Sequence, residues 1–180
     1  MPSSAWSDLR QEILDKAVVH GRVVLSSGRE ADYYVDLRRI TLDGHAAPLV
    51  GTVMRELTAN LDYQSVGGLT LGADPVGTAM LHSAARDGVH LDSFVVRKTE
   101  KDHGLHRRVE GPDVAGRRVL AVEDTSTTGD SVLAAVDALE QAGATVVAVA
   151  VIVDRGARSA VESRGLRYLA AYSLDDLGLA

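Results

Sequence analysis

The stretch that decides the fold lies at residues 119–129 and reads VLAVEDTSTTG. Its first four residues are apolar and include two β-branched valines, as in a buried strand. Two adjacent carboxylates, Glu123 and Asp124, follow, and then hydroxyls, a glycine and a helical pattern. A helix start binds phosphate because its N–H groups are unpaired and carry partial positive charge. Since carboxylates suit sugar hydroxyls or a hydrated cation, the stretch predicts a pocket for a phosphorylated sugar.

Strands and helices alternate on both sides of this stretch. Apolar strands are predicted at 65–68, 93–96, 119–122 and 146–153, and helices at 75–86 and 128–142. Uninterrupted apolar strands separated by helices are typical of a parallel sheet covered on both faces, with right-handed crossovers. The sequence therefore predicts an α/β fold, a parallel twisted sheet flanked by helices. We expect residues 1–180 to form a single domain.

The N-terminal part has a different pattern. Trp6, Leu9 and Ile13 recur at helical spacing, and Ser3 or Ser4 is available as the cap. Two short strands, at 23–25 and 33–35, are then predicted around a turn. A second helix is predicted to begin at Pro48, because proline suits a first helical position, and to end near residue 60.

Composition excludes several classes of protein. The chain has 19 basic and 25 acidic residues, a formal charge of -6, and no cysteine. The acidic balance argues against nucleic acid as a partner, and the lack of cysteine excludes disulfides and thiolate metal sites. No apolar run approaches the roughly 18 residues of a membrane span, and the N-terminus lacks a signal-peptide pattern. We expect a cytoplasmic protein without a membrane partner.

Three more segments follow predicted strands, where ligands of α/β sheets bind. Residues 67–75, GGLTLGADP, suggest a second anion subsite, with an ordinary strand-to-helix turn as the equal alternative. The polar loop at 98–113 suggests a lid whose cations close over a polyphosphate, although taken alone a solvated charged loop is favoured. Arg155, in Asp-Arg-Gly, suits bidentate binding of a carboxylate, or a surface pair with Asp154.

These motifs together resemble a known family. VEDTSTTG at 122–129 is similar to the ribose-5-phosphate signature of type I phosphoribosyltransferases. The match to the orotate phosphoribosyltransferases rests on LSSGR at 25–29 with Tyr33-Tyr34, RK at 97–98 with KDHG at 101–104, and VDR at 153–155. It extends over about residues 20–160. The resemblance implies the type I fold, with residues 1–40 contributing a small N-terminal hood.

The resemblance also implies an activity. It predicts Mg2+-dependent transfer of phosphoribosyl from 5-phosphoribosyl-1-diphosphate (PRPP) to orotate, giving orotidine 5′-phosphate and diphosphate in pyrimidine synthesis. Mg2+ is expected mainly on the substrate, with a water-mediated contribution from Asp124. A homodimer is implied, in which the loop Lys98–Gly104 of one subunit reaches the site of the other.

The motifs assign roles to individual residues by resemblance. Four are expected to be catalytic: Lys101, His103, Glu123 and Asp124. PRPP would be bound by these four and by Arg97, Lys98, Thr125, Ser126, Thr127, Thr128, Gly129, Asp130 and Ser131. The diphosphate loop would be Leu71, Gly72, Ala73 and Asp74. Orotate would be bound by Tyr34, Val35, Thr127 and Arg155.

One position departs from the family, and rival functions remain open. Many members carry a lysine where this chain has Ser26, and its absence removes one cation from the site. Arg29 is a candidate to compensate. The rivals are a phosphoribosyltransferase for another nucleobase, a non-catalytic PRPP-sensing regulator, and a subunit with a relic site.

Overall fold

The computed structural model of the chain describes residues 3–24, 30–99 and 108–180. Within these ranges the strands are β1 (Val18–Val24), β2 (Glu30–Val35), β3 (Ser65–Leu69), β4 (Asp92–Val96), β5 (Val109–Glu110), β6 (Arg118–Ser126), β7 (Thr145–Asp154) and β8 (Tyr168–Ser173). The α-helices are α1 (Ser4–Glu12), α2 (Arg38–Thr41), α3 (Ala46–Leu57), α4 (Ala73–Arg86), α5 (Asp130–Gln141) and α6 (Arg158–Ser163), and a π-helical segment (Ile13–Ala17) continues α1.

The central sheet has the order β5-β4-β3-β6-β7-β8. Neighbouring strands are parallel throughout, except that β5 pairs with β4 antiparallel. The predicted α/β fold with a parallel sheet flanked by helices is therefore confirmed. Parallel pairing places the carboxyl ends of β3, β4, β6 and β7 at one edge of the sheet, where ligands of such folds bind.

Both faces of the sheet are covered, as the apolar strands predict. Leu120 and Val122 of β6 point to a core shared with α1, α3 and α4. Their neighbours Val119 and Ala121 point to the opposite core, which α5 covers. This alternation is the period of two of a strand, and because both faces are buried the whole strand must be apolar.

The N-terminal segments form a hairpin outside the central sheet. Strands β1 and β2 pair antiparallel, with Val18 opposite Val35. The Tyr33 hydroxyl donates to the carbonyl of Leu179 over 2.7 Å, and the Tyr172 hydroxyl donates to the carbonyl of Trp6 over 2.7 Å. The first and last parts of the described chain are therefore hydrogen-bonded to each other.

Several predicted helix boundaries are wrong by a few residues. α3 begins at Ala46, two residues before Pro48, because Asp43 Oδ1 accepts hydrogen bonds from the N–H groups of His45 and Ala46, both over 2.9 Å. That side chain thus satisfies the orphan donors that begin a helix. α4 begins at Ala73 rather than Pro75.

Four elements, α2, β5, α6 and β8, were not predicted. Part of the segment predicted as a polar loop forms β5, which adds an antiparallel edge strand to the sheet. α6 and β8 extend the fold beyond β7, and β8 pairs with β7 from Val149 to Asp154. Among the residues described, no helix has both the length and the apolar character needed to cross a membrane.

Candidate active site

The carboxylate pair lies where β6 reaches the ligand-binding edge of the sheet. Glu123 is only 5% exposed, and Asp124 is partly buried beside it. The N–H of Asp124 donates to Glu123 Oε1 over 3.2 Å, and the N–H of Thr125 donates to Asp124 Oδ1 over 2.7 Å. The backbone thus turns both acids toward one another rather than into solvent.

The electrostatics of this pair are unfavourable without a ligand. Burial raises the pKa of Glu123, and the adjacent Asp124 charge raises it further. Burial also raises the pKa of Asp124, against the opposing effects of the Thr125 N–H and the Arg38 charge. Because two buried carboxylates resist ionising together, the pair favours a ligand that supplies a cation or hydrogen-bond donors.

The predicted diphosphate loop packs directly against these acids. A Cβ built on Gly72 would overlap Glu123 Oε1 and lie 2.8 Å from Asp124 Oδ1. Any larger residue at this position would therefore require the two carboxylate groups or the loop to shift. Behind it, Asp74 Oδ2 accepts a hydrogen bond from Thr70 Oγ1 over 2.7 Å, whereas Asp74 Oδ1 is buried without a partner. The Thr70–Leu71 peptide bond is cis.

The predicted phosphate loop leads from β6 into α5. Gly129, which precedes the helix, has φ of +88°, a left-handed conformation that glycine adopts readily. The Thr128 hydroxyl donates to Asp130 Oδ2 over 2.8 Å, so this carboxylate is turned back onto the loop. Thr125 Oγ1 is buried without a hydrogen-bond partner. The loop thus brings hydroxyls and helix-start N–H groups together, which suits a phosphate.

A cavity of about 280 Å³ unites most of the predicted segments. Residues that the sequence predicted for the site line it: Tyr34, Val35, Leu71, Gly72, Lys98, Glu123, Asp124, Thr125 and Ser131. The hairpin, the diphosphate loop, the end of β4 and the acid pair therefore meet around one space. Cavities that join an apolar wall to converging polar groups are typical ligand sites.

Other predicted residues lie beside this cavity without lining it. Arg155 is joined to the phosphate loop, because its N–H donates to the carbonyl of Ser126 over 2.9 Å, and its Nε is buried without a partner. Arg97 Nη1 instead faces Glu110 Oε1 at 3.5 Å. The other predicted site residues that do not line the cavity are Ala73, Asp74, Ser126, Thr127, Thr128, Gly129 and Asp130.

Some predictions fall outside the described ranges. Lys101 and His103, both predicted to be catalytic, lie there, as do Ser26 and Arg29. Most of the Lys98–Gly104 loop is also outside them. These roles stay predictions.

The sequence prediction missed two charged residues of the cavity, Asp36 and Arg38. Arg38 Nε bonds to Asp36 Oδ1 over 2.8 Å. A signal for them was present, since an Asp-x-Arg sequence directly follows Tyr34 and Val35, which were predicted to contact the base. Leu37 also lines the cavity and was not predicted, whereas Leu69 and Thr70, which line it too, belong to the predicted anion subsite at 67–75.

Known proteins share this architecture and sequence. Residues 40–167 match the family described as Phosphoribosyl transferase domain. Orotate phosphoribosyltransferase of Streptomyces coelicolor is 66% identical over 175 residues, which are 96% of each chain. The Mycobacterium tuberculosis orotate phosphoribosyltransferase crystallised with Fe(III) dicitrate superimposes with a TM-score of 0.89 at 56% identity, covering 97% of this chain and 99% of that one.

A second structure of the Mycobacterium tuberculosis enzyme contains PRPP. It superimposes with a TM-score of 0.85 at 52% identity and covers 97% of this chain and 99% of that one. The identities far exceed what a shared fold alone requires, and they extend over nearly the whole chain. The chain therefore belongs to the phosphoribosyltransferase family, among the orotate phosphoribosyltransferases.

Proposed function

We propose that the protein transfers the phosphoribosyl group of PRPP to a ring nitrogen of orotate, releasing diphosphate and forming orotidine 5′-phosphate for pyrimidine synthesis. The observation that carries the proposal is the cavity in which the acid pair, Gly72 and the Tyr34–Val35 wall meet. Its position at the carboxyl ends of parallel strands, in a chain 66% identical to an orotate phosphoribosyltransferase, supports the same conclusion. The whole chain would act as one unit, with residues 1–40 as its hood.

The acid pair would hold the ribose. Carboxylates accept hydrogen bonds from the 2- and 3-hydroxyls, and these donors relieve the repulsion within the pair. Displacement at the sugar carbon builds positive charge on the ring, as in other glycosyl transfers. Glu123 and Asp124 would stabilise that charge, because buried carboxylates fixed by the backbone need no reorganisation when it appears. They are thus assigned the catalytic role.

Phosphate groups would be bound on either side of the ribose. Residues 125–131 would bind the 5-phosphate through the loop hydroxyls and the N–H groups at the start of α5. Leu71, Gly72, Ala73 and Asp74 would border the diphosphate. Arg97, Lys98, Lys101 and His103 would neutralise the leaving diphosphate, and Lys101 or His103 would protonate it.

Orotate would lie between the hairpin and the phosphate loop. Tyr34 and Val35 offer a wall for the pyrimidine, and Arg155 and Thr127 offer donors for its polar groups. The buried, unpaired Arg155 Nε supports this assignment, since a buried donor without a partner is costly until a ligand satisfies it. As the bond from the orotate ring nitrogen to the sugar forms and the bond to diphosphate breaks, the proton of the ring N–H is released, and the departing diphosphate would accept it, directly or through Lys101 or His103.

Magnesium is the cofactor that we propose. The described residues contain no group of three or more metal-ligating side chains, so they form no closed metal cage. Two neighbouring carboxylates beside a diphosphate site fit Mg2+ nonetheless, because this ion keeps several waters and is commonly held by substrate phosphates. Asp124 would bind it through water. Bound there, Mg2+ would neutralise charge on the leaving diphosphate.

A homodimer completes the proposal. A groove of about 650 Å³ borders the site. Arg38 and Leu71 line both the groove and the cavity, and Asp74 of the diphosphate loop lines the groove. Leu42 and Leu71, which line the groove, are 70% and 62% exposed, and exposed apolar side chains gathered in one groove are typical of a protein interface. A second copy seated there would bury both and bring its Lys98–Gly104 loop to this site. Restored activity on mixing Lys101→Ala with Asp124→Ala subunits would support this; two inactive variants that stay inactive together would contradict it.

A cytoplasmic location is also proposed. The chain has no cysteine, a composition suited to a reducing compartment. PRPP and orotate would be its partners.

The activity is tested by the loss of orotate absorbance in the presence of PRPP and Mg2+. Turnover is expected with orotate and not with uracil or a purine, because those bases lack the carboxylate for Arg155. Arg155→Ala should raise the KM for orotate far more than that for PRPP. Equal effects would count against orotate as the substrate, and absence of turnover with every base would exclude the enzymatic function.

A further inference from the structure

Arg38 lies in the cavity, although neither the sequence prediction nor the proposed mechanism uses it. It is the first residue of α2, three positions after Val35. It lines the same space as Gly72, Lys98 and Asp124. Its side chain is 47% exposed, so it does not serve the core.

A carboxylate holds the guanidinium in place. Asp36 Oδ1 accepts from Arg38 Nε over 2.8 Å and lies 3.3 Å from the Arg38 N–H. The N–H of Asp36 in turn donates to the carbonyl of Ala17 over 2.9 Å. The side-chain bond occupies Nε and not the two terminal nitrogens. Because the guanidinium is a planar fork of five donors, this leaves a bidentate edge for a second anion.

The described lining of the cavity has more negative than positive side chains, so a cation there would offset the excess. Its described lining carries three carboxylates, Asp36, Glu123 and Asp124, against two cations, Arg38 and Lys98. PRPP brings a phosphate and a diphosphate. Position 72, on the diphosphate loop, is a glycine packed against the two carboxylates and supplies no side-chain charge. Arg38, which follows the hairpin, supplies positive charge that neither the loop glycine nor the acid pair can provide, in addition to that of Lys98.

We propose that Arg38 binds the diphosphate of PRPP, with Asp36 as the residue that positions it. The inference rests on the proposed function. The diphosphate is favoured over the 5-phosphate because Arg38 shares the cavity with Leu71 and Gly72, whereas residues 126–130 do not line it. It is favoured over the orotate carboxylate because Arg155 lies on the phosphate-loop side. Arg38 thus supplies a cation in a chain that has serine at position 26.

The adjacent arginine provides a matched control. Arg39 is on the same short helix, is exposed, and does not line the cavity. Arg38→Ala should raise the KM for PRPP about 10- to 100-fold, the range for losing a charge-assisted hydrogen bond. The KM for orotate should change less than about 3-fold, within the range of indirect effects. Arg39→Ala should leave both unchanged.

Two further variants separate binding from positioning. Arg38→Lys should recover only part of the affinity, because an ammonium cannot form the bidentate contact. Asp36→Asn should weaken PRPP binding less than Arg38→Ala does, since the cation remains but is less fixed. Calorimetric titration with PRPP and Mg2+ gives these affinities directly. Circular dichroism and oligomeric state should match the unsubstituted protein in every variant.

Several outcomes would overturn the inference. Equal effects of Arg38→Ala and Arg39→Ala would do so, as would an orotate KM that rises as much as the PRPP KM. Activity lost together with dimerisation would place Arg38 in the subunit interface instead. If the unsubstituted protein binds PRPP but does not consume orotate, the proposed function fails; the titrations with PRPP still decide the role of Arg38.

Discussion

Two carboxylates of this chain, Asp43 and Glu123, sit in opposite environments. Asp43 accepts hydrogen bonds from the N–H groups that begin α3 and pairs with Lys16 Nζ at 3.1 Å, and these bonds lower its pKa to about 2. Glu123 is buried beside Asp124, and its pKa is raised. The first carboxylate stabilises the fold when charged. The second is destabilising when charged, as carboxylates of binding and catalytic sites commonly are.

The largest expected effect comes from removing charge at the acid pair. Asp124→Asn should lower kcat/KM about 100-fold or more, the range for losing one preorganised electrostatic contact to a transition state. Steady-state kinetics with orotate and PRPP measure this. Asp43→Asn is the matched control, since it alters a carboxylate of the same type that does not line the cavity. Comparable losses in both would deny the acid pair its special role.

A methyl group added against the pair should also cost activity. Gly72→Ala places a Cβ where the oxygens of Glu123 and Asp124 lie, so the loop or the acids must shift. A displacement of about 1 Å in a catalytic site costs on the order of 100-fold, and we expect a 10- to 100-fold loss in kcat/KM. Gly44→Ala is the control for the unfavourable effect of replacing a glycine elsewhere, because its surroundings are open and its backbone is not in the left-handed region. Full activity of Gly72→Ala would show that the acids can move freely.

Glu123→Gln should stabilise the protein while it inactivates it. A carboxyl group with a raised pKa in the folded state binds more protons folded than unfolded, so stability falls as pH rises above its ordinary value of 4.5. Because glutamine does not ionise, the variant lacks this fall of stability with rising pH. The melting midpoint of the variant should therefore exceed that of the unsubstituted protein by a few degrees, increasingly so toward pH 8. Identical melting midpoints of the variant and the unsubstituted protein across this pH range would mean that the charge of Glu123 does not destabilise the fold.

Asp43 should show the opposite dependence on pH. Its pKa is lowered from 3.8 to about 2, so its contribution to stability is complete above pH 3.8 and is lost as pH falls toward 2. Asp43→Ala should lower the melting midpoint slightly at neutral pH, and the difference should shrink in acid. Asn at this position should retain most of the capping. Thermal melts from pH 2 to 7 measure the trend, and a difference that grows in acid would contradict it.

The sequence predicted the secondary structure around Glu123 better than it predicted the tertiary contacts of this residue. The VLAVEDTSTTG pattern predicts strand, acids and helix start because all three depend on local composition. The close approach of Gly72 to Glu123 is a tertiary contact between residues 51 positions apart, so no local sequence pattern encodes it. Arg38 was missed for a similar reason. Its helix has four residues, too few for a periodic signal, and only the hairpin's docking brings it to the cavity.

Away from the site, the start of α3 was predicted wrongly and two strands were missed, for other physical reasons. Pro48 is compatible with any position in the first turn of a helix, and the Asp43 cap, not the proline, decides where α3 begins. Strand β5 has two residues and exists because β4 offers it an edge. Strand β8, reading YLAAYS, is short and partly exposed, and a single alternating segment is hard to distinguish from a loop.

The hydrogen bond from Tyr33 to Leu179 has a practical meaning for anyone who handles this protein. Tyr33 is the immediate neighbour of Tyr34, which lines the cavity, so the residue near the carboxyl end holds one wall of the pocket by its backbone carbonyl. A purification tag joined close to Leu179, or a truncation that removes this residue, would act on that wall. The choice of tag is thus a choice about how firmly the wall at Tyr34 is held.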